Sequence, residues 1–262
     1  MKITLIQTDI KWADPAANAA HIQQMMTEAP KSDIYVLPEM WSTGFATEPE
    51  GIAEDDGGES LIWMQRMADT LDAAVAGSIA VRDKRDMTFR NRFWFVRPHN
   101  GTDKGCCREH YDKHHLFTYG GEDRHYTAGD KRVVCEWRGV RFRLCVCYDL
   151  RFPSWIRNHE DYDCLLCVAS WPTTRIDAWN TLLRARAIEN QCFVAGVDRT
   201  GNDPYCQYCG GTQIIDPYGR IMETCETGKE MTITADIDME ALNSFRKKFP
   251  VLKDRDKWLD MP

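Results

Sequence analysis

No apolar run in this chain approaches the roughly 18 residues that a bilayer-spanning helix needs; the stretch from Cys164 to Pro172 ends in a turn signal well before that. A membrane partner is therefore not expected. A surplus of positive charge is missing too: Lys and Arg number 33 against 40 Asp and Glu, a net charge of -7, which repels a phosphate backbone. Nucleic acid is not expected as a partner either. The N-terminal MKITLIQTDIKW lacks a long apolar core followed by small residues and carries Asp9 early, so it reads as a first strand rather than an export signal. The expected location is the cytoplasm. Low-complexity tracts, linkers and internal repeats are absent as well, which leaves a single domain over 1–262 with a charged tail from about residue 246.

What is present is the material of an enzyme-sized α/β domain: 262 residues, 43% hydrophobic and 11% aromatic, enough to bury a sizeable core. Eleven cysteines would suggest disulfides in a small secreted chain, but the odd number and the missing export signal make free thiols the expectation. The pairs Cys164/Cys167 and Cys206/Cys209 have zinc-knuckle spacing. In the strand-like YDCLLCVASW, however, residues three apart point to opposite faces, so no metal is expected.

Residues 3–8 and 33–38 read as strands separated by a helix over 14–30 that starts at Asp-Pro, a βαβ opening. A second helix over 60–71 presents Leu61, Met64, Met67, Ala68 and Leu71 on one face, and a continuous apolar strand follows over 73–81. TFRNRFWFVRPHNGT and the segment near His110 alternate like strands, and RVVCEWRGVRFRLCVCYD reads as a hairpin turning at Arg138-Gly139. A short helix over 153–158, a strand over 163–170, a helix over 177–190 and a strand over 192–198 form another βαβ unit. A hairpin across DPYG, the strand MTITADID and a helix from Met239 close the chain. Strands that follow one another without helices suggest two mixed sheets flanked by helices rather than one parallel sheet.

Three residues stand at the ends of such strands. Cys147 ends RFRLCVC and is followed by YDLRFP, a turn into a proline-started helix, the elbow in which a reactive thiol is held. Glu39 ends DIYVLPE against a barely solvated wall, a setting suited to a general base. Lys113 ends another extended run in REHYDKHHLF. His114 and His115 are the competing bases, but as neighbours in a strand they point apart, so at most one could reach a shared site. Trp171 and Thr173 of ASWPTTR should lie beside the strand end that carries Cys147, with Phe117 and Trp41 as further walls. Arg151, Arg184 and Arg186, with Asp149 and Glu189, read as internal ion-pair partners holding the elbow and its supporting helix.

A glutamate, a lysine and a cysteine at successive strand ends resemble the nitrilase superfamily, the carbon-nitrogen hydrolases. LPEMWSTGF, YDKHHLF and VCYDLRFP are similar to its three motifs, in order and over almost the full length. The likeness is closest to the ω-amidase, or 2-oxoglutaramate amidase, branch through GGEDRHYTAGD, ASWPTTR and RARAIENQ. It implies a four-layer αββα sandwich, no cofactor, a homodimer, and an amide substrate attacked by Cys147, with Glu39 as base. It also implies Lys113 and the Tyr148 backbone N–H as the oxyanion hole, and Glu122 as a second glutamate near the lysine. For a 2-oxo dicarboxylic monoamide such as 2-oxoglutaramate or 2-oxosuccinamate, Arg175 is the candidate for the distal carboxylate. Other family chemistry (aliphatic amide, carbamoyl or nitrile hydrolysis) and a non-catalytic thiol-rich redox-responsive or binding protein are the alternatives.

Overall fold

The computed structural model describes residues 1–99 and 107–256. The end of the strand expected to run on to residue 102 and the tail beyond 256 lie outside the described residues. Six strands build most of one sheet: β1 (Lys2–Gln7), β2 (Ile34–Val36), β3 (Glu54–Asp55), β4 (Ala74–Arg82), β5 (Phe89–Val96) and β6 (Arg108–Asp112). The second sheet follows with β7 (Val134–Trp137), β8 (Val140–Val146), β9 (Cys164–Ala169) and β10 (Phe193–Asp198). After a two-stranded excursion, β11 (Thr200–Asn202) and β12 (Gln207–Cys209), it is completed by β13 (Gln213–Ile215) and β14 (Ile221–Thr224). Finally β15 (Met231–Asp236) returns to the first sheet and pairs antiparallel with β1. The strand orders are β15-β1-β2-β4-β5-β6, with β3 on β4, and β14-β13-β10-β9-β8-β7.

The helices are α1 (Pro15–Glu28), α2 (Glu59–Leu71), α3 (Pro153–Ile156), α4 (Ile176–Asn190) and α5 (Met239–Lys248). Asp14 caps α1 by accepting from Ala17 N–H at 3.1 Å, with proline at the first helical turn, where its missing N–H is not needed. Asp238 caps α5 in the same way, and Arg246, Lys247 and Lys248 sit against the negative end of its dipole.

Alternation along the strands sorts side chains into three apolar layers. Ile3, Leu5, Ile34, Val36, Phe93 and Phe95 meet Phe142, Leu144, Val146, Leu166 and Val197 between the sheets. Ile6, Tyr35 and Val75 face Leu61, Met64 and Met67 of α2 on one outer side, and Cys145, Leu165 and Val194 face Trp179 and Leu183 of α4 on the other. The result is the expected α-β-β-α sandwich with two mixed sheets. Cys164 lies in the layer between the sheets and Cys167 in the layer against α4, so this pair points apart as alternation requires. The β11–β12 hairpin and the short β3 were not expected from the sequence; neither has the length or apolar alternation that marks a strand.

β8, β9 and β10 run parallel, as do β1, β2 and β4. Their carboxyl ends therefore collect at one end of the sandwich, the place where open α/β sheets leave room for a ligand. An ion cluster stiffens the neighbouring β5–β6 pair: the buried Arg92 guanidinium donates to Asp112 (2.6 Å), Asp83 (2.7 Å) and Asp56 (3.0 Å). Among the described residues, no helix is long and apolar enough to cross a membrane.

Candidate active site

The chain turns sharply where β8 ends. Cys147 has φ 47°, a left-handed conformation that a side chain adopts only when its surroundings enforce it, and it opens the 3-10 turn Cys147–Arg151 that leads through Pro153 into α3. By alternation Cys147 would face α4 like Cys145. The turn instead brings it to the junction of the layer between the sheets and the α4 layer.

Asp149 holds this elbow. One of its oxygens accepts from Val146 N–H (3.1 Å) and the Tyr111 hydroxyl (2.7 Å). The other accepts from His115 N–H (2.8 Å) and contacts His115 Nδ1 at 2.9 Å. The carboxylate thereby ties the Cys147 turn to the segment that follows β6. Arg186 adds a second fastening by donating to the Leu150 carbonyl while pairing with Glu189 at 3.0 Å.

Glu39, Lys113 and Glu122 come from three separate segments and are all buried. Lys113 Nζ donates to Glu39 Oε1 at 3.0 Å and to Glu122 Oε2 at 2.8 Å. Glu39 Oε2 accepts from Ser170 N–H (2.8 Å), at the end of β9, and Glu122 Oε2 from Phe117 N–H (2.6 Å). Asn91, in β5, donates through one nitrogen to both carboxylates, at 2.8 Å to Glu39 and 3.1 Å to Glu122.

Burial works against charge on Lys113, but the carboxylates of Glu122 and Glu39 outweigh it and hold its pKa well above the usual lysine range. It stays an ammonium. Burial pushes the Cys147 thiol well above the ordinary range, and the adjacent Glu39 charge adds to this against the opposing pull of Lys113. The resting group is thus a neutral thiol, a form that acts as a nucleophile only with the help of a base. Burial and Glu39 also raise Glu122, with Lys113 opposing. Asp198, at the end of β10, is raised by burial despite accepting from Trp171 N–H at 2.7 Å.

A pocket open to solvent reaches Cys147; its walls include Phe45, Phe117, Tyr148 and Trp171. The N–H of Tyr148 belongs to the first turn of the 3-10 segment, where backbone donors lack a partner within the helix. Arg175 also lines the pocket, its guanidinium 5.3 Å from the Phe117 ring.

Several expectations need correction. Trp41 is not a wall of this pocket: its ring packs on Trp63 of α2 at 4.7 Å, on the far face of the first sheet. Thr173 points elsewhere, donating to the Gln207 carbonyl at 3.0 Å and so fastening the β11–β12 hairpin. Arg151 is not an internal ion-pair partner: it lines the pocket, with its guanidinium 4.9 Å from the Trp171 ring and no carboxylate partner among the described residues. Asp149 pairs with His115 rather than with an arginine, and Arg184 donates to the Gly219 carbonyl instead of an acid.

Asn91 and Ser170 escaped the sequence reading, and Arg151 entered it only as an ion-pair partner. For Asn91 a signal was there: it shares strand parity with Phe93 and Phe95, so it is the polar member of an inward-facing row. Ser170 acts through its backbone, which side-chain chemistry does not advertise.

Residues 2–247 match the family model described as carbon-nitrogen hydrolase. The chain is 42% identical over 261 residues to omega-amidase YafV of Escherichia coli strain K12, covering 98% of each. It is 35% identical over 258 residues to a 2-oxoglutaramate amidase of Bacillus subtilis strain 168, covering 96% of each. Among solved structures it is similar to XC1258 of Xanthomonas campestris, a CN-hydrolase superfamily protein with an arsenic adduct in the active site (38% identity, TM-score 0.91, covering 98% of this chain and 97% of that one).

Proposed function

This chain belongs to the carbon-nitrogen hydrolase family, and from that premise we propose that it is a cysteine-dependent omega-amidase that hydrolyses the distal amide of a small 2-oxo dicarboxylic monoamide, 2-oxoglutaramate or 2-oxosuccinamate. The observation that carries the substrate class is the pair of guanidinium groups, Arg151 and Arg175, that line the Cys147 pocket on aromatic rings without a carboxylate partner among the described residues. An apolar pocket that keeps two such cations suits an anion, and a guanidinium takes a carboxylate through two parallel hydrogen bonds.

Cys147 attacks the amide carbon while Glu39 takes the thiol proton. The carbonyl oxygen becomes an oxyanion, stabilised by the Lys113 ammonium and the Tyr148 N–H. As the tetrahedral intermediate collapses, Glu39 returns its proton to the amide nitrogen, the C–N bond breaks and ammonia leaves, with the acyl group held as a thioester on Cys147. Glu39 then removes a proton from water, whose oxygen attacks the thioester carbon; the C–S bond breaks, Glu39 returns the proton to the Cys147 sulfur, and the carboxylic acid leaves. Glu122 holds Lys113 in place from its far side. The fully engaged donors of Lys113 limit it to electrostatic help; it does not shuttle protons.

The test is ammonia release from 2-oxoglutaramate, glutamine, a simple aliphatic amide and a nitrile. The 2-oxo acid amide is expected to be turned over fastest, and Arg151→Ala to raise KM by about 10-fold or more, as loss of a charge-assisted hydrogen bond implies. Equal turnover of all amides would move the reading to a general aliphatic amidase.

The free thiols among the described residues, with Cys145 and Cys167 sulfurs 3.7 Å apart in adjacent strands, fit work in the reducing cytoplasm. The assembly is a homodimer, supported by one exposed apolar patch. Tyr218 stacks on Phe245 at 4.1 Å, Phe249 lies beside Phe245, and Ile188 of α4 packs over Gly219; Ile188, Tyr218 and Phe249 are each more than half exposed. Such a patch marks an association surface. Replacing Tyr218 and Phe249 together by serine is expected to give a monomer in sedimentation equilibrium; an unchanged mass in the double variant, or a monomeric parent, would remove this assignment.

A further inference from the structure

Two carboxylates face one ammonium in this site, out of contact with water. Like charges so close resist joint ionisation, and one of the pair tends to keep a proton. Yet the proposed base must have its proton-accepting form free before Cys147 can attack.

Asn91 bears directly on this conflict. Its Nδ2 lies 2.8 Å from Glu39 Oε1 and 3.1 Å from Glu122 Oε1, and Lys113 Nζ reaches the same two oxygens at 3.0 and 3.2 Å. Two acceptors thus share two donor nitrogens. The backbone fixes the arrangement, since Lys113 N–H donates to the Asn91 carbonyl at 3.0 Å. The amide orientation follows from chemistry: turned over, its oxygen would meet two carboxylates with no proton between them.

We propose that Asn91 is a positioning residue that keeps Glu39 in its proton-accepting form by donating hydrogen bonds to both glutamates at once. The inference rests on the reading of Glu39 as the base for Cys147. A neutral donor supplies what a second cation would supply, without adding charge that would compete with Lys113 for the oxyanion. The other ionisable groups facing the cluster are Cys147 from the elbow, Asp198 from the end of β10 and the buried phenol of Tyr126, which donates to the Ala46 carbonyl at 2.8 Å. None of these three donates a hydrogen bond to Glu122 in this structure.

Removing the donor should leave one glutamate protonated at a pH where the native pair is ionised. When that proton sits on Glu39, Cys147 has no base. The test is alkylation of Cys147 by iodoacetamide, followed by mass spectrometry of the Cys147 peptide between about pH 6 and about pH 9. In this reaction the thiol proton passes to Glu39, the S–C bond forms, the C–I bond breaks and iodide leaves. Asn91→Leu, close in shape but without donors, is expected to react about 10-fold more slowly than the parent at the acidic end and within about 3-fold at the alkaline end, as a shift of one pH unit implies. Asn91→Asp, nearly isosteric and bringing a third carboxyl, should be slower still at the acidic end. A variant slowed by the same factor at every pH would show a merely structural role and overturn the proposal, as would parental rates at the acidic end in both variants. Alkylation needs no substrate, so this result is separate from the outcome of the amide panel.

Discussion

Replacing Cys147 by alanine is expected to abolish ammonia release from 2-oxoglutaramate, a loss on the order of 10⁴-fold or more, as for other covalent catalysts stripped of their nucleophile. The fold should survive. Alanine meets the same φ of 47° with no larger Cβ substituent, so the strain at the elbow is not increased. The thiol that is lost is neutral at rest, because burial and the Glu39 charge hold its pKa well above the ordinary range; no buried charge is left unpaired. Stability should change by no more than about 1 kcal/mol, the range of a small truncation without an orphaned partner. Circular dichroism and thermal melts check the second half of the expectation, and the ammonia assay the first. Activity near the parental level in Cys147→Ala would remove the covalent mechanism altogether.

Lys113→Gln should behave differently, because it strikes both chemistry and fold. In the proposed mechanism the lysine ammonium is the positive charge that stabilises the oxyanion, and losing one such group typically lowers kcat by about 10²- to 10³-fold. KM should move far less, since the charge on the substrate oxygen develops only on the way to the transition state. A KM effect with kcat unchanged would count against the oxyanion role. Stability falls as well: the ammonium is buried against Glu39 and Glu122, and breaking a buried pair from one side costs roughly 3–5 kcal/mol. The pH dependence has a definite sign. Because the folded pKa of Lys113 lies above its ordinary value of 10.5, the stability from this pair is complete below that value and is lost as pH rises through the raised one. In the variant that alkaline loss should disappear, and melts recorded across the alkaline range would show it.

Much of this architecture was legible in the chain. Periodicity placed the early βαβ opening, the β7–β8 hairpin at Arg138-Gly139 and the closing helix within a few residues, because each is settled by local alternation and by local caps such as Asp14 and Asp238. The order Glu39, Lys113, Cys147 was legible for a related reason: each follows a strand, and strand ends are where chains turn. The errors share a cause too. Acidic neighbours close in sequence suggest an ion pair for Arg151, but the 3-10 turn after Cys147 sends Asp149 toward His115 and Arg151 toward Trp171. Trp41 follows the strand end of Glu39 by two residues, yet it returns to the face covered by α2.

From the sequence came the types of group, their order and the strands that carry them, because hydrophobic periodicity and turn chemistry are local properties. Which groups meet is another matter. That Asn91 bridges two glutamates drawn from different segments, that Ser170 offers its backbone to Glu39, and that Asp149 fastens the elbow to the turn after β6 depend on the register of paired strands and on two sheets packed face to face. Those are long-range relations, fixed when apolar layers close and every buried donor and acceptor must find its partner at a distance that no local pattern encodes.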